Sequence, residues 1–287
     1  MHETLTLDEP AVSAPGLTST VVVACDLDRT LIYSKNALWL EGADKDAPPM
    51  MVAEVYDGAP LSYMTRTAEN LLLEVMDAST FVPVTTRTQA QYERVQLPGP
   101  VPEYAITSNG GVLLHRGVRD PHWQEHLRLR IAADCAPLET VEEYLSDPAF
   151  ASWILRLRRA EDLFVYAIIE RDAMPAAFLA NLTAMCATAG WTVSVQGRKL
   201  YCVPVPINKT DALAEVARRT GATTVMAAGD SLLDQDMLAN ADIAFRPLHG
   251  EMHDAGYLAP HLRLTSVRGV LAGEEILKNI LALLQPV

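Results

Sequence analysis

The sequence predicts an α/β protein, a Rossmann-like parallel-sheet core into which a mixed α/β domain is inserted. Three observations carry this. Val21-Val22-Val23-Ala24-Cys25 is a run of small and β-branched apolar residues, as in a strand buried on both faces, and it stops at Asp26-Leu27-Asp28-Arg29-Thr30. Near the other end of the chain, Val225-Met226-Ala227-Ala228-Gly229-Asp230 repeats the pattern of apolar strand, then acid. Between them lies a long stretch in which helical and strand patterns alternate with hairpin signals.

In chain order, residues 1–17, with Pro10, Pro15 and Gly16, read as a flexible leader. The first strand then ends in two carboxylates spaced i, i+2. Open α/β sheets place ligands at the carboxyl ends of their strands, and two acids crowded there repel unless a cation or proton is shared. Asp26 and Asp28 therefore suggest a divalent-metal site, an acid/base pair, or both. Asp26, leaving the strand directly, suits a nucleophile; Asp28 suits proton transfer to a leaving oxygen and from water. The alternatives are a strand-end or turn aspartate and the D-x-D that chelates metal in some glycosyltransferases. Tyr33 to Pro60, with Gly42, Pro48, Pro49 and Gly58, reads as a long flank of the site holding a short hairpin, without a functional assignment.

Thr65 to Met76 is helical, and Phe81 to Val84 is a strand stopped by Thr85-Thr86-Arg87. A hydroxyl there either donates to a phosphate oxygen or caps the next helix, a short one over Gln89 to Val95. Tyr104 to Ser108 is a strand running into Asn109-Gly110-Gly111, a turn signal. Asn109 suits a left-handed turn residue. The insertion over 112–204 reads as hairpin, long helix (122–146), strand (163–169), helix (175–189) and two short strands around Val193 and Tyr201. Arg198 and Lys199, at a hairpin tip, either reach a distal anionic or polyhydroxyl group or form an ordinary charged turn. Arg156 and Arg158 fall on a solvated strand face.

The core returns at Val205, with a helix over 209–219 that opens at Lys209, ordinarily a solvated position. The strand Thr223 to Ala228 leads to Asp230 and Asp234, whose i, i+4 spacing places like charges on one face and calls for a cation. A helix (232–239), strands at Asp242 to Phe245 and Leu262 to Thr265, and an apolar-faced helix (268–284) complete the pattern. His249 and His253 read as a surface pair in a loop.

Taken in order, DLDRT at Asp26–Thr30, TTR at Thr85–Arg87, NKTDAL at Asn208–Leu213 and GDSLLD at Gly229–Asp234 resemble the four motifs of the haloacid dehalogenase-like (HAD) phosphohydrolase superfamily. The resemblance runs from about Val21 to Phe245. It implies that Asp26 is the nucleophile and Asp28 the general acid/base, whose main-chain carbonyl also meets Mg²⁺. It gives Thr85 the transferring phosphoryl group, and Lys209 the task of steadying nucleophile and phosphate. Asp230 would bind the metal with Asp234 in support, so the implied metal set is Asp26, Asp28, Asp230 and Asp234. Thr86, Arg87, Asn109, Arg198 and Lys199 are the candidate substrate contacts. Arg29 and Thr86 stand where the family more often has glycine.

The S-N-G segment and the site of the insertion are similar to sucrose-phosphate, mannosyl-phosphoglycerate and Cof-type phosphatases. The implied division is a catalytic core of 18–111 with 205–287, and an α/β cap of 112–204 that sets specificity. An aspartate two residues after the nucleophile fits phosphate esters, whose leaving alkoxide needs a proton. The implied activity is Mg²⁺-dependent hydrolysis of a small phosphate monoester, a sugar phosphate or phosphorylated sugar acid, through an aspartyl-phosphate. A phosphomutase or phosphotransferase is the alternative, as is a catalytically silent regulatory protein.

The chain of 287 residues is long enough for a core with a sizeable insertion, and 49% hydrophobic residues suffice to fill both. Its net charge of −13 argues against nucleic acid or an anionic membrane as partner, but not against a small phosphorylated metabolite held by a metal and local cations. Cys25, Cys135, Cys186 and Cys202 have no C-x-x-C spacing, and no signal peptide or membrane span is apparent. A cytoplasmic protein, monomer or homodimer, is expected.

Overall fold

The computed structural model describes residues 21–285; the expected leader lies outside the described residues. β1 (Val21–Asp26) is the central strand. Val22 and Ala24 face one side of it, and Val23 and Cys25 the other; all four are fully buried, as the two-residue period of a doubly covered strand requires.

The flank that follows is more ordered than its composition suggests. β2 (Tyr33–Ser34), β3 (Met50–Tyr56) and β4 (Ala59–Thr65) form a three-stranded antiparallel sheet in the order β2-β4-β3. Asp57 and Gly58, at φ 48° and 74°, make the tight turn between β3 and β4. Asp-Gly is a strong hairpin signal because both central residues of such a turn need positive φ.

Thr65 caps α1 (Arg66–Ala78) by accepting the Ala68 N–H at 2.9 Å, and β5 (Thr80–Val84) pairs in parallel with β1. After α2 (Gln89–Tyr92), β6 (Tyr104–Thr107) pairs in parallel with β5. Within 112–204, β7 (Val112–His115) and β8 (Val118–Arg119) add antiparallel to β6 and extend the large sheet. The single helix expected over 122–146 is two, α3 (Pro121–Asp134) and α4 (Leu138–Leu145). Pro137 separates them: it has no N–H to continue the helix, and its ring disfavours helical backbone at the residue before it. Trp123 and Leu127 of α3 pack into the core of the large sheet.

β9 (Ile154–Ala160), β10 (Phe164–Ile169), α5 (Phe178–Thr188), β11 (Trp191–Gln196) and β12 (Lys199–Pro204) follow. Their strands form an antiparallel sheet in the order β11-β12-β10-β9, with a separate hydrophobic cluster that includes Trp153, Phe164, Phe178, Leu182 and Trp191. The chain then returns through α6 (Lys209–Thr220), β13 (Thr224–Ala228), α7 (Gln235–Ala239), β14 (Ile243–Arg246), α8 (Glu251–Asp254), β15 (Leu262–Leu264) and α9 (Val270–Leu284).

The large sheet has the order β15-β14-β13-β1-β5-β6-β7-β8, parallel from β15 through β6. α3, α6 and α7 cover one face, and α1 and α9 the other. The chain leaves β1 toward β5 on one side and later returns to β13 on the other. The carboxyl ends of β1 and β13 thus flank a topological switch point, where the loops diverge and leave a crevice. No helix among the described residues is long and apolar enough to cross a membrane.

Candidate active site

Asp26 is the last residue of β1, its carboxylate at the switch point. The loop beyond it is wound tightly, the Leu27 carbonyl accepting the N–H groups of Thr30, Leu31 and Ile32 at 3.3, 2.9 and 2.8 Å. Asp230 follows β13 through Gly229, where a Cβ would lie 2.6 Å from the Asp234 side chain, so only glycine lets the two acids fold back on one another. Carboxylate oxygens of Asp26, Asp230 and Asp234 all lie within 4.8 Å of one another, and all three residues are buried.

Lys209 closes the cluster. It is the first residue of α6, whose cap Asn208 accepts the Asp211 N–H at 2.7 Å. Its ammonium donates to Asp26 Oδ1 at 2.7 Å and to Asp234 Oδ1 at 2.5 Å, in full burial. Burial alone would lower its pKa, but Asp234 and Asp26 hold it above the usual lysine range. Burial, opposed by Lys209 and reinforced by Asp234, pushes Asp26 up to about 8; burial and the neighbouring Asp26 raise Asp230 well above the carboxylate range. Three buried acids face one buried ammonium, so the cluster is short of positive charge.

The donor set shows where a cation fits. Both Asp234 oxygens are used, Oδ1 by Lys209 and Oδ2 by the N–H and hydroxyl of Ser231 at 3.0 and 2.8 Å. Asp26 Oδ2 and both Asp230 oxygens receive no hydrogen bond among the described residues. Hard, unsatisfied carboxylate oxygens at the mouth of a crevice suit Mg²⁺, which keeps several waters and takes few protein ligands.

The remaining expected residues divide. Asp28 lies outside the buried cluster, and both its carboxylate oxygens are gripped by Arg87, Nε to Oδ2 at 2.7 Å and Nη2 to Oδ1 at 2.8 Å. Thr85 is buried, its hydroxyl oxygen accepting the Arg87 N–H at 3.1 Å. Thr86, one residue on, lines the crevice. Asn109 has φ 58°, is buried, and donates to the Ile207 carbonyl at 3.4 Å; it is not among the crevice-lining residues. Arg198 and Lys199 do line the crevice, a cleft of about 870 Å³ between the two sheets.

Sequence reasoning missed several residues. Glu54, on β3 in the unassigned flank, is buried, with Oε2 accepting from Arg87 at 2.7 Å and Ser62 at 3.1 Å, and Oε1 from Arg94 at 3.0 Å. It thereby anchors the arginine that holds Asp28. The Asp57-Gly58 turn was the signal that would have placed β3, but nothing local marks Glu54 as buried. His249 is not at the surface: it is 5% exposed, with Nε2 at 2.7 Å from the Arg29 carbonyl and Nδ1 accepting the Gly269 N–H at 3.1 Å. Those partners fix a neutral ring with its proton on Nε2, and burial lowers its pKa to about 4. Tyr166 and Tyr201, stacked with centroids 5.7 Å apart, and Phe164 line the cleft from the second sheet.

No family model and no curated protein matches this sequence. Solved structures do. The sucrose-phosphatase of Synechocystis sp. PCC6803, determined in complex with sucrose and phosphate, aligns with a TM-score of 0.60 at 13% identity, over 92% of this chain and 98% of that one. A trehalose-6-phosphate phosphatase related protein aligns at 0.52 and 15%, over 91% and 97%. A phosphatase of the haloalkanoate (HAD) enzyme superfamily from Bacteroides thetaiotaomicron aligns at 0.52 and 14%, over 95% and 99%.

Proposed function

We propose, from a fold shared with the haloacid dehalogenase-like phosphatases and from the geometry at its switch point, that this chain is a Mg²⁺-dependent phosphatase of small phosphate monoesters. The observation that carries the reading is the Lys209 ammonium, buried between Asp26 and Asp234 beside the free oxygens of Asp230. A lysine is buried in this way only where its charge is matched, and here it fixes the rotamer of the one carboxylate that leaves the central strand facing the crevice.

Asp26 Oδ2, in its ionised form, attacks phosphorus in line with the leaving alcohol, giving an aspartyl-phosphate, while Lys209 holds Oδ1 and offsets part of the cost of burying that charge. Asp28 protonates the leaving oxygen, then takes a proton from the water that cleaves the acyl phosphate. In either step an Asp28 oxygen must leave the Arg87 fork, with Glu54 retaining the guanidinium. Thr86 lines the crevice at the end of β5, and the hydroxyl of Thr85, buried one residue before it, would have to turn toward the crevice to donate to a phosphoryl oxygen. Asp26, Asp230 and the Asp28 carbonyl would hold Mg²⁺, with Asp234 acting through Lys209 and Ser231. When bound, the ion supplies positive charge to the phosphoryl oxygens and offsets the crowded carboxylates.

The second sheet, with the segments around it in 112–204, is read as a cap. Its Tyr166–Tyr201 stack offers an apolar wall to a sugar ring, and Lys199, over Tyr166 and without an ion pair among the described residues, suits a sugar hydroxyl or an acid group. A sugar phosphate or phosphorylated sugar acid fits this wall.

The test is phosphate release from a panel of sugar phosphates with and without Mg²⁺, beside Asp26→Asn. Metal-dependent release abolished at least about 10³-fold by the substitution supports the reading. Release that survives Asp26→Asn, or no release from any ester, overturns it; a phosphorylated second alcohol among the products would instead identify a transferase.

A further inference from the structure

Arg29 occupies an unfavourable conformation and is nevertheless held in it from two sides. Its φ is 64°, in the left-handed region that glycine enters freely and arginine does not. Its carbonyl is bound by His249. The His249 ring packs against Trp39 with centroids 4.8 Å apart, and the Arg29 guanidinium lies over the Trp39 ring, 5.2 Å from its centroid. One aromatic platform thus fixes both ends of the residue.

The guanidinium is aimed where charge is lacking. Arg29 borders the same crevice as Asp26, Asp28 and Asp230. Its Nε is 3.6 Å from Asp230 Oδ2, beyond hydrogen-bond length, and is buried without an acceptor. Yet 41% of the side chain is open to solvent. Backbone strain, a two-sided clamp and a buried donor left without an acceptor are together unexplained by an ion pair with Asp230, which a relaxed side chain would make at shorter range.

We propose that Arg29 binds the phosphoryl group itself, its guanidinium donating to non-bridging oxygens on the Asp230 side of the crevice. An arginine fork matches phosphate geometry, and such charge-assisted bonds are about twice as strong as neutral ones. The contact complements Lys209, which lies beneath Asp26 with its ammonium committed to two carboxylates. The proposal rests on the phosphatase reading for its catalytic meaning, but the binding contact stands apart from it.

Arg29→Gly tests it, because this substitution removes the guanidinium and relieves the backbone together. Full-length wild type and variant, in Mg²⁺, are titrated with inorganic phosphate by calorimetry, melted, and assayed on several esters. The expected result is phosphate affinity lower by about tenfold, an unchanged or higher melting midpoint, and kcat/KM reduced by a common factor for every ester. Wild-type phosphate affinity in Arg29→Gly overturns the proposal. Should that variant melt earlier, Arg29→Gln decides, since it keeps the stem over Trp39 without the charge. Weakened phosphate binding at an unchanged midpoint then supports the contact, and undiminished binding overturns it. A protein that binds phosphate through Arg29 but hydrolyses no ester would sink the hydrolase reading and leave this one; hydrolysis indifferent to Arg29→Gly would do the reverse.

Discussion

His249 shows how a single side chain couples the site to solvent conditions. It joins the loop after β1, through the Arg29 carbonyl, to the start of α9, through the Gly269 N–H. Protonation would place a second N–H against the Gly269 N–H, two donors facing each other. Folded, its pKa is about 4, against roughly 6.5 in the unfolded chain. Between those values the unfolded state binds more protons, so stability rises with pH. The contribution is fully present above about pH 6.5 and is lost as pH falls toward 4, on the order of 3 kcal/mol in all. Urea midpoints measured from pH 7 to pH 4 on wild type and His249→Gln should diverge accordingly, the variant lacking this part of the acid loss. Parallel curves would remove His249 as the cause. Sequence alone gave no hint of it, because a histidine's burial depends on which remote segments cover it, here Trp39 and Gly269. The acids and Lys209 were legible for the opposite reason: each sits where an apolar strand or a helix starts or stops, and those boundaries are local. Glu54 illustrates the limit, since its three partners come from two other elements and a neighbouring strand.

At the scale of elements, the start of α6 matters most, for it delivers Lys209. Gly110, at φ 96°, lies directly against that start: a Cβ there would stand 2.1 Å from the Asn208 carbonyl oxygen. The Trp123 indole also donates to the Gly110 carbonyl at 2.9 Å, which ties α3 to the same turn. Gly110→Ala therefore has to displace either the cap of α6 or the turn after β6. A destabilisation of at least about 2 kcal/mol is expected, together with a loss of phosphate release as the Lys209–Asp26 contact lengthens. Gly58→Ala is the control. Its φ is 74° but no atom lies within 4 Å of the added methyl, so it should cost only about 1 kcal/mol and leave turnover intact. Equal effects from the two substitutions in denaturant melts would show that the contact with Asn208 is not what matters. The central strands of the large sheet, β1, β5 and β6, were readable as apolar runs, because each is buried on both faces. The split between α3 and α4 was also written in the sequence, at Pro137, but helical periodicity on both sides of a short break masks it. The Tyr33–Pro60 flank was harder, since its strands are partly exposed and carry no clean alternation.

For the molecule as a whole, the second sheet has its own hydrophobic cluster, distinct from the two that sandwich the large sheet. Two units with separate cores can shift against each other at lower cost than either can unfold, so what joins them governs access to the cleft. The join has an apolar part, where Leu163 packs against Ala105, Val112 and Leu114 and Ile131 against the cores of both units, and a polar part centred on Glu161, in the turn between β9 and β10, where Glu161 and Asp162 have φ of 52° and 56°. Its Oε2 accepts the Ser108 hydroxyl, and its Oε1 accepts from Arg119 and, at 3.4 Å, from the Gln89 N–H at the head of α2. One carboxylate of the second unit thus grips three segments of the first. Glu161→Ala would free that grip without touching either core. Amide exchange in β9 and β10 should accelerate while exchange in β1, β5 and β13 stays as in wild type, and the global denaturant midpoint should move by less than about 1 kcal/mol equivalent. If closure of this unit over the cleft is part of turnover, KM for the preferred ester should rise more than kcat falls. Uniform acceleration of exchange across both sheets would show instead that Glu161 supports the fold as one cooperative body, and that the cleft opens by some other joint.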